Sequence, residues 1–249
     1  MEIKRFFIPS EKIDKQCAVI DNDEFYHIVK VLRLKKGFKI VVCTGDGKDY
    51  YATIDKIHDG YLTAAIHETI VNDTELPFKL TMLQAIPSKD KLEIIVQKAV
   101  ETGVSVFVPF ISTHVNDSRV NIERLEKIIK EAAKQCGANK LMRIIPPVDF
   151  EEAVNIAKKS FLPIIAYEKE TDGRLCKLSE RFKTKDFSAA FFVGPEGGFT
   201  DEEASCAKDN GIAAITLGKR ILRCETAGVV VSALIASEYN RNNPAKGSV

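Results

Sequence analysis

The sequence predicts an α/β protein in two parts: a small β-rich unit, then a larger parallel sheet with helices on both faces. Three observations carry that prediction. Strand-like runs at Phe38–Cys43, Lys48–Ile57 and Tyr61–Val71 dominate the N-terminal part, separated by Gly45-Asp46-Gly47 and Asp59-Gly60. Asp-Gly between apolar runs is a strong hairpin signal because both turn positions tolerate positive φ. From Phe78 onward, short apolar strands alternate with segments whose apolar residues recur at helical spacing, the pattern of a parallel sheet covered on both faces. Between the two regimes lies Asn72–Pro77, polar and closed by a proline, which reads as a linker. The implied domains are residues 1–73 and 74–249.

The elements follow in chain order. Phe6 and Phe7 read as neighbours on a strand, pointing to opposite faces and into core. One short helix, roughly Asp23–Leu34, interrupts the N-terminal strands. Lys79–Ala85 is a strand, and Ser88 opens the helix after it. There Leu92, Ile95, Val96, Ala99 and Val100 share one face, and Gly103 stands where a helix-ending glycine belongs. Val104–Ile111 reads as a buried strand. Ile122, Leu125, Ile129, Ala132 and Cys136 line the next helix, which Gly137 ends. Arg143–Val148, Leu162–Tyr167, Ala189–Val193 and Ala213–Leu217 supply further short strands. The last helix, Ala227–Tyr239, is apolar around most of its circumference, so burial on several sides is expected.

Composition narrows the function classes. Lys and Arg number 36 against 35 Asp and Glu, a net charge of +1, which argues against coating nucleic acid by bulk electrostatics. Locally, Lys30, Arg33, Lys35, Lys36 and Lys39 form a run without an acid. By itself such a run reads as a solvated helix end. The longest apolar run, Val229–Ala236, is far short of a membrane span, and no signal peptide is recognisable, so a cytoplasmic protein is expected. Six cysteines without a C-x-x-C pair and four scattered histidines point to reduced packing residues, with no metal site expected.

The most informative stretch is Phe191–Phe199, FFVGPEGGF, read together with Leu217–Ala227, LGKRILRCETA. The first is a strand running into a glycine-rich loop and a helix. Thr200 and Glu203 stand where a capping box would start that helix. Without Cβ atoms at Gly194, Gly197 and Gly198, backbone can approach a flat ligand closely. The spacing matches neither the dinucleotide fingerprint nor the Walker loop.

These two loops closely resemble those of the RsmE family of ribosomal RNA small subunit methyltransferases. Further matches lie at Arg5-Phe6-Phe7, at His27 with Val31-Leu32-Arg33, at Gln97-Lys98-Ala99 with Glu101-Thr102-Gly103-Val104, and at Glu131-Ala132 with Gln135-Cys136-Gly137. The resemblance implies an S-adenosylmethionine-dependent methylation of uridine N3 in 16S ribosomal RNA of the small subunit. It also implies a SPOUT-type parallel sheet with a C-terminal trefoil knot, a small N-terminal β-barrel (PUA/OB-like), and a homodimer joined through the last helix. The family carries an arginine after Gln135-Cys136-Gly137, where this chain has Ala138; Lys140 nearby keeps a charge but not a bidentate fork.

Uridine N3 carries an imide proton, so methyl transfer needs that proton removed and the charge developing on the uracil oxygens stabilised. Arg223 is assigned to that charge. Glu225 is either a proton acceptor or the partner of an Arg–Glu pair that fixes the loop; Glu196 is the alternative base, or else a brace for the glycine loop. Tyr167, Gly194, Pro195, Glu196, Gly197, Gly198, Leu217, Gly218, Ile221, Leu222 and Arg223 are expected around the donor. Gly198→Val is expected to abolish donor binding and spare the fold. Arg5, His27, Arg33, Lys35, Lys36, Lys98 and Lys140 are the expected RNA contacts. The competing class is a non-catalytic RNA-binding protein that keeps the fold and binds no donor.

Overall fold

A computed structural model describes residues 3–87, 89–115 and 117–244, with the backbone alone for Lys89 and Asp90. Ser88, expected to open a helix, lies outside the described residues. The chain forms two compact units, Met1–Glu75 with Lys130–Leu141 and Leu76–Ile129 with Met142–Val249. The sequence places 130–141 with the second part, whereas the structure groups it with the first.

In the first unit, strands β1 (Lys4–Phe7), β2 (Ile13–Asp14), β3 (Cys17–Asp21), β4 (Lys39–Cys43), β5 (Lys48–Ile57) and β6 (Tyr61–Val71) make one sheet in the order β1-β4-β5-β6-β3-β2. The β1–β4 ladder is parallel and the others are antiparallel. Alternate residues of four strands, Ala18 and Ile20, Ile40 and Val42, Ala52 and Ile54, Leu62 and Ala64, meet Phe6 and Ile28 in a single core, as the two-residue period of a strand requires. Phe6 and Phe7 are both buried. Where one helix is expected, helix α1 (Asn22–Tyr26) widens into a π-helical turn, His27–Val31, in which the Leu32 N–H donates to the His27 carbonyl at 2.9 Å. Arg33, at φ +54, follows in a left-handed conformation uncommon for a residue with a Cβ.

The same unit buries polar groups. The Arg5 guanidinium donates to the Asp49 carboxylate, and Asn72 and Asn139 donate to it at 2.9 and 3.2 Å. Asn139 is fully buried, so the 130–141 segment supplies a strut to this sheet. Lys130 and Lys134 also pair with buried Glu24, at 2.8 and 2.9 Å.

The second unit holds β7 (Lys79–Ala85), β8 (Val106–Ile111), β9 (Arg143–Ile144), β10 (Val148–Asp149), β11 (Leu162–Ala166), β12 (Ser188–Val193) and β13 (Ala213–Ile215). They form a seven-stranded sheet along β10-β8-β7-β12-β11-β13, with β9 paired to β8. Every ladder in it is parallel. Its helices are α2 (Lys89–Glu101), the first part of α3 (Ile122–Cys136, which passes to the first unit at Lys130), α4 (Phe150–Ala157), α5 (Asp201–Asp209) and α6 (Cys224–Asn242). The single strand expected over Arg143–Val148 is split, because Pro146 and Pro147 cannot donate to a ladder. Helix α4, not anticipated, is capped by Asp149, whose side chain accepts from the Glu152 N–H at 2.8 Å.

One face of the larger sheet, carrying Leu83, Val108, Phe110, Ile165 and Phe192, packs with Ala153, Val154 and Ala157 of α4 and Ala204 and Ala207 of α5. Helix α6 lies over the strands elsewhere, close enough that a Cβ on Gly228 would stand 2.6 Å from the Met82 methyl. Within one chain α6 buries Ala227, Gly228, Val231, Ser232 and Ile235, while Leu234 stays 40% exposed. That is one face of the helix, with Val229 and Val230 half-buried beside it.

Removing one partner of a buried ion pair leaves an uncompensated charge. Asp49→Ala is therefore expected to destabilise the first unit by about 3 kcal/mol in denaturant unfolding. Burial pushes the Asp49 carboxyl up, but Arg5, Asn72 and Asn139 outweigh it and hold the group below its ordinary value. A depressed folded pKa means the contribution is complete above that value and is lost as pH falls through the lower one. The difference between wild type and Asp49→Ala should shrink with acid, and a pH-independent difference would contradict it.

Candidate functional site

The ends of three parallel strands converge on one cavity of about 250 Å³. Strand β12 runs into the loop Gly194–Phe199, β13 leads to the loop Leu217–Leu222, and β11 ends beside Tyr167 and Glu168; residues of all three line it. Every residue expected around the donor lies there except Arg223, which stands at the N-cap of α6 with its side chain 81% exposed.

The first loop is held from below by Gln84, fully buried at the end of β7. Its Nε2 donates to Ala85 O at 2.8 Å and to Gly194 O at 3.3 Å. The Gly198 N–H closes a turn onto Pro195 O at 3.0 Å. Thr200 and Glu203 then form the capping box expected of them, and α5 starts. Gly198 sits at φ +70, and a Cβ on it would meet Glu168 Oε1 at 2.5 Å. This corrects the expectation that a valine there spares the fold: the backbone itself requires glycine. In the second loop the Gly218 N–H donates to Thr216 Oγ1 at 3.2 Å, and the Thr216 N–H donates to Gly173 O at 2.6 Å.

Charged groups gather at the start of α6. Lys91 Nζ, from the first turn of α2, is 3.0 Å from Glu196 Oε1, and its hydrogen bond to Glu196 raises its pKa. The Arg223 and Glu225 side chains stand 4.0 Å apart. Glu225 is held below the ordinary carboxylate range, first by its own backbone N–H against the cost of burial, then by Cys224, Lys91 and Arg223. A negative charge is favoured at a helix N-terminus. The Cys224 thiol donates to Glu225 at 3.3 Å, and burial followed by that carboxylate pushes it up to about 12, so it stays a thiol. The Tyr167 hydroxyl donates to Asp201, which raises the phenol and fixes the ring at the cavity wall.

Sequence reasoning missed Gln84, Lys91 and His114, whose Nδ1 lies 3.1 Å from Gly198 O. Nothing in the spacing of Lys91 pointed at Glu196, 105 residues away in the chain. Among the expected RNA contacts, Arg33, Lys35, Lys36 and Lys140 are exposed in the first unit and His27 is half-buried there, edge-on to Phe6. Lys98 lies on α2 in the second unit, paired with Glu101 at 2.8 Å. Arg5 is no surface cation, being committed to Asp49. Among the described residues no group of three or more His, Cys, Asp or Glu could hold a metal ion, and no helix is long and apolar enough to cross a membrane.

Comparison with known proteins agrees with this geometry. Residues 74–236 match the family described as an RNA methyltransferase domain, and residues 20–66 match an RNA methyltransferase PUA domain. Ribosomal RNA small subunit methyltransferase E of Bacillus subtilis is 30% identical over 237 residues, covering 90% of this chain and 93% of that protein. The protein of the same name from Rickettsia conorii is 30% identical, covering 94% and 96%. Among solved structures, a ribosomal RNA small subunit methyltransferase E of Neisseria gonorrhoeae bound to S-adenosyl methionine superposes with a TM-score of 0.86. It is 28% identical, covering 95% of this chain and 98% of that one.

A left-handed conformation costs a residue bearing a Cβ about 1–2 kcal/mol, so Gly198→Ala should lower unfolding stability by that amount. Gly197→Ala, with φ outside that region, should cost less. Equal stability of the Gly198→Ala protein and wild type in urea would show that the loop is held otherwise.

Proposed function

We propose, since this chain belongs to the family of ribosomal RNA small subunit methyltransferase E, that it methylates N3 of a uridine in small-subunit ribosomal RNA with S-adenosylmethionine as donor. The observation that carries the reading is the cavity of about 250 Å³ enclosed by two glycine-bearing loops, in which flat apolar surface meets unencumbered backbone. Ile221 lines it while 85% exposed, an isoleucine left for an apolar ring to cover. Leu222 and Tyr167 complete the apolar wall, and the backbone of Leu217 and Leu222 on the same wall is taken to read an adenine edge. When bound there, the donor supplies an electrophilic methyl group on a sulfonium.

The chain's own residues supply the rest. Arg223, solvated at the N-cap of α6, is the group free to swing over a uracil oxygen and stabilise the charge that grows as the N3–H bond breaks. Glu225, bonded to its own backbone N–H and to the Cys224 thiol, serves to brace the start of α6, while Glu196, on the cavity wall and oriented by Lys91, accepts the N3 proton. Docking of RNA falls to the first unit, where Arg33, Lys35 and Lys36 form the exposed basic set.

Titration calorimetry should find S-adenosylmethionine bound and ATP not, and mass mapping of treated small-subunit RNA should place one methyl on a uridine N3. A methyl on any other atom sinks the assignment. Arg223→Ala should lower kcat by about a hundredfold while the donor Kd moves by less than about twofold. A change in donor Kd alone would make Arg223 a donor ligand instead.

Each phosphate contact contributes about 0.9 to the slope of log affinity against log salt for duplex and about 0.7 for single strands. Replacing Arg33, Lys35 and Lys36 together by alanine should weaken RNA binding and flatten that slope by roughly two units, with donor affinity unchanged. An unaltered slope would remove the first unit's patch from RNA docking.

A further inference from the structure

A second and larger cavity, about 1030 Å³, lies in the same unit and shares Glu196 and Gly197 with the smaller one. Its wall is apolar at Ile86, Pro87, Leu92, Val120 and Leu125, and Arg119 and Arg124 also line it. The loop between β8 and α3 that forms one side is fastened to the glycine loop. The buried Glu203 carboxylate accepts from the Thr113 N–H at 2.9 Å with one oxygen and from the Thr200 N–H at 3.0 Å with the other. His114, the next residue, lies against Gly198 O at 3.1 Å.

Arg119 grips Asp117 through Nε and Nη2 at 2.9 and 2.8 Å, and Arg124 grips Glu93 likewise at 3.1 and 2.9 Å. Both arginine side chains are well exposed, at 80% and 58%. Solvated pairs of this kind contribute little to stability, and each fork engages two of the five guanidinium donors. The remainder can meet phosphate, while a carboxylate so oriented can accept from an exocyclic base amine.

We infer that this larger cavity is the acceptor cleft: it holds unstacked nucleotides of single-stranded RNA beside the target uridine, with bases on the apolar wall and phosphates at Arg119 and Arg124. The inference rests on the donor occupying the smaller cavity. Uridine N3 lies on the pairing edge, so a base that is to be methylated there must be unpaired, and its neighbours then arrive as a flexible strand with open π-faces. Apolar wall flanked by guanidinium groups suits such a strand. The shared Glu196 and Gly197 place its end where the two ligands must meet.

The test uses the full-length protein with small-subunit ribosomal RNA, comparing wild type with the double variant Arg119→Glu/Arg124→Glu and with Val120→Asp. Both arginines are exposed, so the double variant should keep the wild-type Tm; Val120→Asp probes the apolar wall independently. The expected result is an RNA KM raised about tenfold or more in each variant, a shallower salt dependence in the double variant, and an unchanged S-adenosylmethionine Kd. An RNA KM within about twofold of wild type in both variants overturns the cleft, as does a parallel loss of donor affinity, which would assign it to the donor. If wild type itself binds no donor and transfers no methyl, the underlying function fails instead. If wild type is active and the variants match it, only the cleft fails.

Discussion

Parallel pairing throughout the larger sheet is the constraint on which the site depends. When neighbouring strands run the same way, their carboxyl ends lie along one edge, and ligands bind in the crevice beyond it. Here the register aligns Ile165 with Phe192, Ala166 with Ile215, Gln84 with Val193 and Ala85 with Phe110. One residue or so past each pairing the chain leaves the sheet, so Tyr167, Gly194, Thr216, Ile86 and Ser112 all emerge at the same edge. The pairing of Gln84 with Val193 also explains the brace under the glycine loop. A buried amide at that position has carbonyl oxygens of the next strand's exit within reach, and a buried donor must find an acceptor.

Charge is organised locally, on a chain whose net charge is +1. The first unit buries two sets of paired ions, Arg5 on Asp49 and two lysines on Glu24, and carries exposed cations from Arg33 to Lys36, of which Lys36 pairs with Asp55 at the surface. The second unit brings Lys91, Glu196, Arg223 and Glu225 to the start of α6. Composition could not separate these two uses of charge, because both consist of ordinary Lys, Arg, Asp and Glu. What separates them is burial.

Strands set off by turn residues were readable: Lys48–Ile57, Tyr61–Val71 and Lys79–Ala85 appear with the bounds their patterns suggest. The capping box at Thr200 and Glu203 was readable because its spacing is local. Strand β3 and helix α4 were not anticipated, although Asp149 before Phe150 is a helix-start signal that short length obscured. The π-helical turn after Tyr26 left no mark in the apolar spacing. At the site, the two loops were legible because glycines and a proline announce irregular backbone. Gln84, Lys91 and His114 were not, since their partners Gly194, Glu196 and Gly198 lie far away in sequence and the pairing exists only in the folded chain. The expectation of a trefoil knot rests on family resemblance alone, since periodicity is blind to threading.

Glu203 has one oxygen on the backbone of Thr200 and the other on that of Thr113, and so joins a residue beside the smaller cavity to one that lines the larger. A carboxylate shared in this way ties the Thr113 end of the β8–α3 loop to the Thr200 end of the glycine loop. Ordering one loop therefore lessens the entropy that a second ligand must still remove from the other. Any cooperativity between ligands of the two loops would be reciprocal by thermodynamic necessity: whatever factor one added to the other's affinity would be returned in full. Residence of a donor would then be longest when the strand to be modified is in place, a form of timing that needs no moving lid.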